Sequence, residues 1–255
     1  MEITWLHLAA VLAAGLVAGY VNTMAGGGSF LTLFALELVG LPAMTANGTN
    51  RIAIEIQSIL GILGFKSKGM ADWRLSLHFA IPALLGAIVG AFVVIDLPDA
   101  IFHRVLGVAL LFMLAVMILN PKQWLRERHV EMTPRRRLLA YLVLFLVGIY
   151  GGAIQAGVGF LLTFALVAVG GMGLVRTNSH KAFIVGLYTL AALAMFAAAG
   201  HVSLLYGVLM GAGGGLGAWI ASRLSVEKGE KVVRPVLMIM LGVMAVRYLG
   251  IIPGF

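Results

Sequence analysis

Ala25-Gly26-Gly27-Gly28-Ser29-Phe30-Leu31-Thr32-Leu33-Phe34-Ala35-Leu36 has a near copy in the second half of the chain, Ala156-Gly157-Val158-Gly159-Phe160-Leu161-Leu162-Thr163-Phe164-Ala165-Leu166. An offset of 130 residues sets Phe160 on Phe30, Gly157 on Gly27 and Val169-Gly170 on Val39-Gly40. Each copy leads to a small polar cluster that ends in a cation. The first is Asn47-Gly48-Thr49-Asn50-Arg51 and the second is Thr177-Asn178-Ser179-His180-Lys181, with Lys181 falling on Arg51. Duplicated halves with glycine-broken apolar segments are the sequence mark of a secondary transporter.

Working outward, the 255 residues are 61% hydrophobic and 11% charged, with a mean hydropathy of +1.04. Soluble domains carry about 25% charged residues, so an all-α integral membrane protein is expected. Met1-Glu2 offers no basic n-region, which favours a retained first span over a cleaved signal. The absence of cysteine removes disulfides, thiolate metal sites and thiol catalysis together. A net charge of +8 sits in loops and not on a folded basic face, so nucleic acid is not expected as a partner. No HExxH, GxSxG or P-loop pattern is present, which leaves hydrolysis and ATP-driven transport without support. No enzyme activity, metal or cofactor is expected.

Ten apolar segments are read at 3–24, 29–40, 45–65, 76–95, 100–119, 137–155, 158–171, 176–198, 203–222 and 232–250. They divide into a first repeat (1–119), a cytoplasmic linker (120–136) and a second repeat (137–255). With the linker inside, 14 of the 18 lysines and arginines fall in cytoplasmic loops, as the positive-inside rule asks. Arg51, Arg104 and Arg247 lie towards the outside. Five segments per half is an odd number, so the second half enters the membrane from the opposite face. The repeats are then inverted and both termini lie outside.

Segments 29–40 and 158–171 are too short to span. Twelve helical residues reach about 18 Å, against about 30 Å of hydrocarbon. Each is expected to be a broken or re-entrant helix, and non-helical backbone at that depth is tolerated only where it is buried or lines a cavity. A glycine run that opens a helix exposes backbone N–H groups at the positive end of its dipole, which suits an anion. Gly26, Gly27, Gly28, Gly157 and Gly159 are therefore the candidate anion site, with Asn22, Thr23, Ser29 and Gln155 as side-chain donors. Tight helix packing is the other reading of such glycines. It is preferred for Gly207, Gly211 and Gly215, and for Gly86 with Gly90.

Arg51 and Lys181 lie inside apolar segments and are candidates for substrate contact. Snorkelling to headgroups, or pairing of Arg51 with Glu55 one helical turn on, remains the alternative. Asn47, Thr49, Asn50, Asn178 and Ser179 are uncharged donors that suit an anion or cap helices. Glu37 and Glu55 are the acidic candidates for proton coupling. His180 is read as a hydrogen-bonded structural residue.

At Val21-Asn22-Thr23-Met24-Ala25-Gly26-Gly27-Gly28-Ser29 and Ala46-Asn47-Gly48-Thr49-Asn50-Arg51 the chain resembles the sulfite exporter TauE/SafE family, the TSUP anion permeases. The resemblance covers essentially the whole chain. It implies a multi-pass protein of the bacterial inner membrane that exports sulfite or a small organosulfonate. The second copy departs from the pattern, with Gln155-Ala156-Gly157-Val158-Gly159 in place of the triple glycine. A secondary transporter working by alternating access around a mid-membrane site is the leading expectation, and a passive anion channel is the rival. A chaperone or scaffold without transport is disfavoured by the polar clusters within the spans. The expected partners are a small anion and the lipid bilayer, with homo-oligomerisation left open.

Overall fold

A computed structural model describes residues 5–24, 26–69, 72–119 and 133–224, together with Gly242, Val243, Ala245, Val246, Tyr248 and Leu249. Most of the 120–136 linker, the cations Lys228, Lys231, Arg234 and Arg247, and most of segment 232–250 lie outside the described residues. Within them the chain is all α. The helices are α1 (Trp5–Met24), α2 (Ser29–Leu38), α3 (Ala43–Lys66), α4 (Trp73–Val94) and α5 (Asp99–Leu119). After the linker come α6 (Pro134–Ala153), α7 (Val158–Ala168), α8 (Leu174–Ala198) and α9 (Leu204–Arg223).

Local chemistry explains where these helices begin and end. Asp72 accepts a hydrogen bond from the Leu75 N–H at 3.1 Å and caps α4. Thr133 does the same for the Arg136 N–H at 3.3 Å, and Pro134 follows in the first turn of α6, where a missing N–H costs nothing. The two short helices stop in the same way. Gly40 and Gly171 have φ of +92° and +67°. The next N–H in each case reaches back to Leu36 O or Leu166 O, which satisfies a carbonyl that the helix leaves over. The equivalent glycines are thus 131 residues apart, one more than the offset at the breaks, because two residues (Val169 and Gly170) separate α7 from its glycine where Val39 alone separates α2 from Gly40.

Burial is inverted relative to a soluble protein. Phe92 is 72% exposed and Leu204 70%, whereas Arg51 is fully buried. Asn47, Thr49, Asn50, Gln57 and Lys181 are also buried. An apolar coat over a polar interior is stable only in hydrocarbon. Five helices, α1, α4, α6, α8 and α9, are long and apolar enough to cross a membrane. The protein is an all-α integral membrane protein.

Helix directions follow from glycine contacts. α1 runs parallel to α9, with Gly15 against Met210 and Gly19 against Gly214. α4 runs parallel to α6 through Gly86 against Phe145 and Gly90 against Ile149. At these glycines a Cβ would collide with the facing backbone, so close approach requires their absence of a side chain. α3 runs parallel to α9, where Gly207 and Gly211 receive Ile52 and Ile56. This is the packing role the sequence assigned to that glycine stripe. α3 and α8 are antiparallel, with Gly61 near Ala182 and Ser58 on Gly186. α4 and α8 run parallel, tied by Ser76 to His180 at 2.7 Å and by an exposed ion pair of Asp72 with Arg176 at 3.8 Å.

Exchanging α1 with α6, α3 with α8 and α9 with α4 maps each of these packing pairs onto another. The exchange also reverses every direction. Loops that the charge pattern places on one side meet at one end, as the Asp72–Arg176 pair shows. At the other end Thr49 Oγ1 accepts from the Ser203 N–H at 2.8 Å, and Asp99 accepts from the Met44 N–H at 3.4 Å.

Candidate functional site

The two glycine breaks lie directly against each other. A Cβ on Gly26 would strike the Gly159 backbone, and a Cβ on Gly159 would strike Gly26. Gly28 is pressed onto Ala18 and Asn22 of α1, and Gly157 onto the Phe30 ring. Ser29 joins the halves. Its hydroxyl donates to Asn22 Oδ1 at 3.4 Å and accepts from the Gly157 N–H at 3.4 Å.

Beside this contact is a pocket of about 40 Å3, room for roughly three waters at about 10–15 Å3 each. α1 and the break contribute Asn22, Thr23 and Ser29; α3 contributes Ile54, Gln57, Ser58 and Gly61. Gln155, Val158 and Gly159 come from the second break, and Asn178, Lys181, Ala182 and Val185 from α8. The α3 lining runs from the middle of that helix at Ile54 to about three quarters of the way along at Gly61, and the α8 lining lies in the first half of its helix, so the pocket sits between the middle of these helices and the end where Asp72 meets Arg176. Lys181 is its only charged lining residue among the described residues. The ammonium donates to Asn178 Oδ1 at 2.8 Å and to Thr23 O, at the end of α1, at 3.4 Å. Asn22 donates to Gln57 Oε1 at 3.2 Å. Gln57 Nε2, a buried donor, has no partner among the described residues. Gln155 has a φ of +64°, unusual for a side chain of this size. Its Nε2 donates to Thr189 at 3.4 Å.

Of the residues singled out in the sequence, the structure gathers Asn22, Thr23, Ser29, Gln155, Gly159, Asn178 and Lys181 around the pocket. It places the others elsewhere. Gly26, Gly27, Gly28 and Gly157 do not line it; the close approach at Gly26, Gly28 and Gly157 is to protein and not to open space. Arg51 points away from it and lies on the C-terminal end of α6. Its guanidinium donates to Gly151 O at 3.2 Å, to Gly152 O and to Ala153 O at 3.5 Å. It also lies 4.4 Å from the centre of the Phe196 ring. These carbonyls are the negative end of the α6 dipole, and Arg51 takes them as partners in place of Glu55.

Asn47 donates to the same Ala153 carbonyl at 2.8 Å. Asn50 accepts from Thr32 at 2.6 Å, and Thr49 is engaged at Ser203. Ser179 is buried outside the pocket lining, as is His180, which is held by Ser76. Neither Glu37 nor Glu55 lines the pocket.

The cations are equivalent under the exchange of halves. Arg51 on α3 reaches the last carbonyls of α6, and Lys181 on α8 reaches Thr23 at the end of α1. Lys181 lines the pocket, whereas Arg51 is fully enclosed. The matching space at Arg51 is filled by the α6 end and Phe196. Gln57 and Ser58 are the lining residues that sequence reading missed. A signal was present, since both interrupt an apolar run two turns beyond Asn50 on one helix face.

The sequence model of the family described as "Sulfite exporter TauE/SafE" matches residues 11–248. A protein of Sinorhizobium sp. called "Probable membrane transporter protein ORF9" is 28% identical over 96% of this chain and 93% of its own length. A "Probable membrane transporter protein" of Haemophilus influenzae is 28% identical over 91% of each chain. "Probable membrane transporter protein YfcA" of Escherichia coli K12 is 26% identical over 96% of this chain and 90% of its own. No solved structure matches. The chain belongs to the sulfite exporter TauE/SafE family.

Proposed function

We propose that this family member is a secondary transporter that carries a small oxyanion, such as sulfite or an organosulfonate, out of the cell across the bacterial inner membrane. The observation that carries the reading is a buried lysine in a pocket between the helices, lined otherwise by neutral donors and apolar groups, with no carboxylate among the described lining residues. Export of an anion from an inside-negative cell runs downhill by about 2.3 kcal/mol per charge per 100 mV. The proposal therefore needs no coupling ion.

Alternating access is part of the proposal. The two repeats, 1–119 and 137–255, would be inverted about the glycine contact, with both termini outside. The reversed directions of corresponding helices support that arrangement. One side of the contact holds the pocket and the other is packed shut around Arg51, as suits a carrier with a single accessible face. A channel would need a polar path past that packing. Flux into proteoliposomes with a panel of oxyanions separates the two. Saturable counter-exchange is expected; current that rises linearly with concentration would instead mark a channel. Reporter fusions at 1 and 255 should both read outside and a fusion at 125 inside; termini on opposite sides would break the inverted arrangement.

Lys181→Gln removes the pocket's only charge among the described residues while keeping a donor near Thr23 O and Asn178. Anion affinity should fall roughly 10- to 100-fold, the worth of a charge-assisted hydrogen bond, with the yield of folded protein close to normal. Unchanged affinity would move the site elsewhere.

A further inference from the structure

We infer that the pocket selects by charge number: it accepts a small oxyanion that carries a single negative charge and an apolar substituent, and it discriminates against a dianion of the same size. The inference rests on the proposed function and makes the substrate class narrower. Among the described residues Lys181 is the only charged one in the lining. The Arg51 guanidinium is already occupied by three carbonyls on the far side of the glycine contact. A monoanion beside Lys181 forms a neutral pair. A dianion would leave one charge uncompensated beside a lysine that is itself buried, which is far more costly than a paired charge.

Neutral donors such as Asn22, Ser29 and Gln57 can orient the oxygens without adding charge. Ile54, Val158, Ala182 and Val185, from three helices, give the remaining wall a surface that no oxygen atom can hydrogen-bond. A methyl or methylene group suits it. For sulfite itself, the form taken would be the singly protonated anion.

Methanesulfonate, sulfamate and sulfate share a tetrahedral sulfur and nearly the same size. The first two are monoanions, and only the first is apolar at its fourth position. Their dissociation constants are to be measured on the purified full chain in detergent, at matched ionic strength. Methanesulfonate is expected to bind most tightly, sulfamate next, and sulfate at least tenfold more weakly than sulfamate. In Lys181→Gln the gap between sulfamate and sulfate should shrink.

Sulfate binding as well as sulfamate overturns the charge rule while leaving an anion pocket in place. Sulfamate equal to methanesulfonate overturns the role of the apolar wall. Failure of all three to bind, in protein that still melts cooperatively, overturns the proposed function itself.

Discussion

Arg51→Met should lower the stability of the protein by about 3–5 kcal/mol, the usual cost of removing one partner from a buried charged network. Methionine matches the length of the stem but offers no donor to Gly151 O, Gly152 O or Ala153 O. Each acceptor left dry costs roughly 1–3 kcal/mol, and Asn47 can cover only Ala153. The measurement is thermal unfolding of purified protein in detergent, with the yield of monodisperse material beside it. Arg51→Lys should recover part of the loss, because an ammonium can still face the end of α6. A melting temperature unchanged in Arg51→Met, together with lost anion affinity, would return Arg51 to the substrate site that its sequence position suggested.

Gly26→Ala is expected to be more severe than its single added carbon implies. The residue has a φ of +90°, and its Cβ would meet the backbone of Gly159. Backbone cannot rotate away as a side chain can. A left-handed conformation alone costs a non-glycine residue about 1–2 kcal/mol. Gly200→Ala isolates that term, since Gly200 has a φ of +79° and nothing within 4 Å of its would-be Cβ. Overpacking adds a further ~1–3 kcal/mol at Gly26. Gly26→Ala should therefore abolish transport and most folded yield, while Gly200→Ala retains both at reduced stability. Equal behaviour of the two variants would mean that the breaks are not in contact.

The segments were legible because each is an apolar run closed by glycine, proline or charge, and the structure begins and ends its helices close to those points. Half of the site was legible too. Ser29, Gln155 and Lys181 follow from the glycine breaks and the intramembrane cation. What the chain could not disclose is which partner each polar group would meet. Asn47, Asn50 and Arg51 look like a ligand cradle when read along the sequence, because they follow a break and carry donors. In space they meet Ala153, Thr32 and the last turn of α6, contacts that arise only when the two halves are packed. The exposed N–H groups inferred for Gly26 to Gly28 had a similar fate. Glycine does allow close approach there, but what approaches Gly26 is the other break, and what approaches Gly28 is α1.

The crossed capping by Arg51 and Lys181 also has a consequence for the order in which the protein can be made. The carbonyls that receive Arg51 lie 100 residues or more further along the chain. While the ribosome is still extending the second half, this guanidinium has no interior partner. It must stay with headgroups, water or the insertion machinery, holding α3 in a provisional position. Lys181 faces no such wait, since Thr23 was synthesised 158 residues before it. The first half thus enters the bilayer unfinished at Arg51, and emergence of the α6 end is the event that lets α3 settle.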